Sequence, residues 1–74
     1  MTITRLKYLR HQKDLTQKDL ADAISVRPSQ ISFLEKGKRK ISIANLYILS
    51  VLLGYTGKAE DLLDIIEVEE TGLV

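Results

Sequence analysis

The chain has no cysteine and no tryptophan, and only one proline and one phenylalanine among its 74 residues. Without cysteine, neither a disulfide framework nor a thiolate metal site can form, which suits a reducing compartment. Long apolar runs are also missing. The longest, residues 46–53, is interrupted by Ser50 and falls far short of a membrane span. Residues 1–10 lack the apolar stretch of a secretory signal. These absences describe one soluble, cytoplasmic domain with no membrane attachment and no metal. Excess charge is scarce too, at net +1, until it is divided along the chain. Residues 1–40 carry ten Lys/Arg against four Asp/Glu, a balance of +6; residues 41–74 carry one lysine against six acids, a balance of −5. A basic side and an acidic side suit a polyanionic partner, although two solvated faces of opposite sign would look the same.

What is present is helical. Apolar residues make up 45% of the chain, without sustained period-2 alternation, and Gly and Pro fall between the periodic segments. A first helix is expected over residues 4–13, where Ile3, Leu6 and Leu9 recur every third residue. Thr16, followed by Asp19, reads as the capping box of a second helix that ends near Ile24. Pro28 suits the first position of a third helix, because its φ is already helical and its missing N–H is not needed there. Gly37 ends that helix. Ser42 caps a fourth helix running to Leu53, which buries Ile43, Leu46, Leu49 and Leu53. A fifth is expected after Gly57, with Leu62, Ile65 and Ile66 on its apolar face. The sequence therefore predicts an all-α, five-helix domain over residues 1–67 and an acidic, frayed tail over residues 68–74.

Helices 2 and 3 are joined by about three residues, too few for antiparallel packing, so they must cross steeply as a helix-turn-helix. At about 100° per residue, Ile31, Leu34 and Glu35 share one side of helix 3. Ser29, Ser32, Phe33 and Lys36 collect on the other. That outward set is small, nearly uncharged and able to approach a partner with little desolvation.

Here the chain resembles the phage repressor and Cro family of helix-turn-helix proteins. The resemblance covers residues 6–54, about two-thirds of the chain. It is carried by Thr16, Gln17, Leu20 and Ala21, then Val26, Ile31, Leu34, Glu35 and Gly37, and finally Leu53 and Gly54. Each piece is weak alone; together, in register, they are specific. The resemblance implies a five-helix repressor-like fold and a sequence-specific regulator of transcription with helix 3 in the major groove of double-stranded DNA. It implies base reading by Pro28, Ser29, Ser32 and Phe33, backbone contact by Gln17, and a structural ion pair between Arg10 and Glu35. Ser29 and Ser32 donate or accept and discriminate poorly alone. Phe33 can make only apolar contact, which matches a thymine methyl. Arg27 and Lys36 flank that face, and Lys38, Arg39 and Lys40 follow it, placed for phosphates. The free N–H groups where helix 4 starts at Ser42 offer another phosphate site. Three residues depart from the family pattern: Ser25 stands where the turn has glycine, so a positive φ is expected there; Arg27 stands where a serine cap is common; and Phe33 where a polar or basic residue is usual.

Helix 4 carries more apolar surface than one core requires. Ile48, Val51 and Leu52, with Tyr55, Leu63 and Ile66, make a candidate homodimer interface, and a two-fold dimer would read a two-fold operator as a repressor. The rival reading is an antitoxin or restriction–modification controller whose main partner is a protein bound through helices 4 and 5. A toxin or a polymerase would be such a partner. Nothing points to an enzyme or a cofactor. His11 has no second ligand or nucleophile at motif spacing and reads as a surface residue of helix 1, and no Gly-rich phosphate loop occurs.

Overall fold

The computed structural model describes residues 1–37 and 41–69. Four α-helices form: α1 Arg5–Gln12, α2 Gln17–Ala23, α3 Pro28–Glu35 and α4 Ile43–Leu52. α2, α3 and α4 start at residues the sequence marks. The Thr4 hydroxyl accepts from the Lys7 N–H, the Ser42 hydroxyl from the Asn45 N–H, and Thr16 and Asp19 close a reciprocal capping box. Pro28 takes the first position of α3, with Arg27 extended before it at φ −84° and ψ 150°.

The helix ends share one device. Asp14, Ser25, Gly37 and Gly54 follow the four helices with φ of 54°, 57°, 86° and 71°. After α1, α2 and α4, the next residue donates its N–H back across the last turn: Leu15 to Arg10, Val26 to Ala21 and Tyr55 to Ser50. These bonds satisfy carbonyls that would otherwise be orphaned. Left-handed backbone is easy for the two glycines and strained for Asp14 and Ser25. At Ser25 this strain makes the sharp turn between α2 and α3.

Two expectations are corrected. The domain is not all-α, and the described residues hold no fifth α-helix. Ala59–Leu63 forms a short 3-10 helix, Asp64 leaves helical conformation at ψ 141°, and Ile65–Glu67 is a strand, β2. β2 pairs antiparallel with Thr2–Thr4, here β1, with Ile3 opposite Ile66. The adjacent β-branched pair Ile65 and Ile66 prefers a pleated surface to a helix. Ile3, read as the start of a helical stripe, belongs to this sheet. Val68, placed by the sequence in the tail, still donates its N–H to the Met1 carbonyl.

Leu6, Leu20, Ile31, Leu49, Leu53 and Leu62 form the centre of the core, each 2% exposed or less. Leu63, expected at a dimer interface, also lies in this core at 4% exposure. The 3-10 turn packs against both α1 and α4, and Leu62 and Leu63 join the core there. Ile43, expected to be buried, is 57% exposed. It is the first residue of α4 and lies one turn before Tyr47, off the core-facing side.

Candidate nucleic-acid interface

α3 divides sharply between its two faces. Ile31, Leu34 and Glu35 are buried; Pro28, Ser29 and Phe33 are exposed and Ser32 is half-buried. Phe33 is 55% exposed, an unusual position for an aromatic ring that has a core within reach. Arg27 and Lys36, at the two ends of the helix, are both exposed.

The inner face is held by polar contacts as well as by leucines. The Arg10 guanidinium meets the Glu35 carboxylate two-pronged, through Nε to Oε2 and through Nη2 to Oε1 at 3.0 Å. Its Nη1 donates to the Leu15 carbonyl at 3.0 Å. Gln17 Nε2 donates to the same Glu35 Oε1 at 3.0 Å. The buried Thr4 hydroxyl donates to the Glu35 carbonyl at 3.2 Å. One residue at the end of α3 is therefore gripped from β1, α1 and α2. With Arg10 9% and Glu35 7% exposed, this is a desolvated pair whose charges compensate each other.

The start of α3 is set by a residue that sequence pattern alone does not single out. Gln30 Oε1 accepts the Arg27 N–H at 3.0 Å, supplying half a capping box although no serine or threonine begins it. The signal was present, a glutamine at the third helical position, but an arginine in the cap position hid it.

The other assigned residues lie as follows. Gln17 is half-buried at the first position of α2. Ser42 is exposed at the start of α4, where its hydroxyl accepts the Asn45 N–H at 3.2 Å. Lys38, Arg39 and Lys40 lie outside the described residues. Between α1, the turn after it and the starts of α2 and α3 runs an open groove of about 590 Å³. It is bordered by Arg10, His11, Asp14, Gln17, Lys18 and Pro28. His11, a residue of α1, is thus part of the same surface as Gln17 and Pro28.

The candidate dimer residues separate into two groups. Ile48, Val51 and Leu52 are 43%, 62% and 42% exposed. They continue with Ala44 and Tyr47 into a stripe spaced i, i+3, i+4, i+7, i+8 along α4, the pattern of a helix face that expects cover. Tyr55 is instead tied within the chain. Its hydroxyl donates to Asp61 Oδ2 at 2.9 Å, which pushes the phenol above its ordinary value, and the Arg5 guanidinium lies 5.6 Å from its ring centre. Ile66 is half-buried in β2. Among the described residues no helix is long and apolar enough to cross a membrane, and no cluster of His, Asp and Glu is placed to hold a metal.

Residues 6–58 match the family model described as helix-turn-helix. Over 59 residues, 80% of each chain, the sequence is 37% identical to an uncharacterized HTH-type transcriptional regulator of Archaeoglobus fulgidus. No solved structure matches the chain.

Proposed function

This chain belongs to the helix-turn-helix family of DNA-binding transcriptional regulators, and from that membership we propose that it is a repressor binding a two-fold operator as a homodimer. α3 enters the major groove, and Pro28, Ser29, Ser32 and Phe33 face the base edges. One observation carries the reading: α3 is locked from behind through Glu35 while Pro28, Ser29 and Phe33 on its opposite side stay exposed. A surface helix with no partner has no need of such rigid mounting.

Gln17, Arg27, Lys36 and Ser42 hold the backbone, together with Lys38, Arg39 and Lys40. Phosphate contacts supply affinity without sequence information, and base contacts supply the choice of site. The reading requires neither cofactor nor catalysis. Repression follows from occupying a promoter.

The homodimer rests on the exposed stripe of α4. One recognition helix reads too few base pairs to single out a genomic site, whereas two related by a two-fold axis read two half-sites about 34 Å apart. The dimer face comprises Ala44, Tyr47, Ile48, Val51 and Leu52, without Leu63. Selecting bound fragments from a random duplex pool tests the reading. Enriched sites with two-fold symmetry are expected, and a pool that stays unenriched at low salt would overturn it.

A further inference from the structure

The groove beside α3 has a charge deficit that its cations do not cover. Arg10 is consumed by Glu35, and Lys18 Nζ lies 2.8 Å from Asp22 Oδ2. Asp14, on the turn, is opposed by no ion pair among the described residues. With a neutral imidazole at position 11, the groove offers an incoming anion no uncommitted positive charge of its own. His11 is the one bordering group that can change this, and it is the single histidine of the chain.

We propose that this groove receives one phosphate of the DNA backbone and that the protonated His11 imidazole is one of the groups holding it, so that binding DNA draws a proton from solution. The proposal rests on the DNA-binding reading above and adds a residue to it. The charged groups acting on His11 are Lys7 and Arg10 on α1 and Glu35 on α3, while Asp14 on the turn and Lys18 on α2 border the same groove. In the free protein, partial burial first, and then Arg10 and Lys7, hold the imidazole below its ordinary value, while Glu35 pulls weakly the other way. A phosphate brings negative charge to the same place and raises it. The bound state therefore holds the proton to higher pH than the free state does. The gain in affinity is full at low pH and vanishes as pH rises through the bound-state value.

Titration calorimetry of the full chain with an enriched duplex, near pH 6 in buffers of different ionisation enthalpy, tests this. Histidine is the side chain that ordinarily titrates there. The wild type is expected to take up as much as one proton per protomer and His11→Gln none beyond the shared contribution of the amino terminus. Wild-type affinity should improve up to about tenfold from about pH 8 to about pH 5.5, and His11→Arg should bind at pH 8 as tightly as the wild type at low pH. Equal uptake by wild type and His11→Gln overturns the proposal. So does a His11→Arg protein, folded by circular dichroism, that binds no more tightly than His11→Gln at pH 8. Binding by every variant at pH 8 keeps the DNA reading intact whatever His11 does, and its absence at both pH values removes both.

Discussion

Glu35 is the residue on which the most elements converge. Its carboxylate serves Arg10 and Gln17, and its carbonyl serves Thr4. Glu35→Ala leaves the Arg10 guanidinium buried without a counter-charge, and we expect urea denaturation to show a loss of about 3–5 kcal/mol. The double variant Arg10→Met, Glu35→Leu should recover most of that loss, since an apolar pair of similar volume carries no desolvation cost. The strained turn residues act in the opposite direction. Ser25→Gly and Asp14→Gly should each raise stability by about 0.5–1 kcal/mol, because glycine relieves the left-handed strain but has more freedom to lose on folding. The positive φ at Ser25 was legible, since a glycine is the residue that turn pattern leads one to expect. The one at Asp14 was not, because a short turn after a helix has no fixed pattern that demands it.

Among the elements, α3 separates a buried, mounted face from an exposed one, which on the proposed function reads DNA. Phe33 is 55% exposed and contributes little to the core, so Phe33→Ala should change unfolding free energy by no more than about 0.5 kcal/mol. Its effect should appear instead as a weakened preference for thymine at one position when selected sites are compared. α2, α3 and α4 could be read from the sequence because each has a start signal and an apolar face lying close together in the chain, and α1 from the spacing of its apolar residues. β1 and β2 could not. Three-residue strands show no measurable period, and their pairing joins residues 2–4 to 65–67, a separation no local pattern reports. The same pairing explains the missing fifth helix, because Ile66 pairs with Ile3 and Ile65 with Thr4, partners that a helix would deny them.

For the whole molecule, the charge division and the uncovered stripe of α4 lead to separate expectations. Neutralising Lys38, Arg39 and Lys40 together should weaken binding to every sequence alike and flatten the salt dependence, by about 0.9 in slope for each phosphate left without its cation. Val51→Glu places a charge in the middle of the α4 stripe, on a residue 62% exposed. Sedimentation should then show monomer with an unchanged helical circular dichroism spectrum; a dimer persisting in this variant would move the interface elsewhere. The mounting of α3 has a consequence for descent as well. The contacts that hold it run through Ile31, Leu34 and Glu35 on the inward side, so its exposed side chains can be exchanged without disturbing the frame that aims them. On the proposed DNA-binding reading, a lineage built on this chain acquires new target sites by drift at a few positions, in the way a stamp changes its legend and keeps its handle.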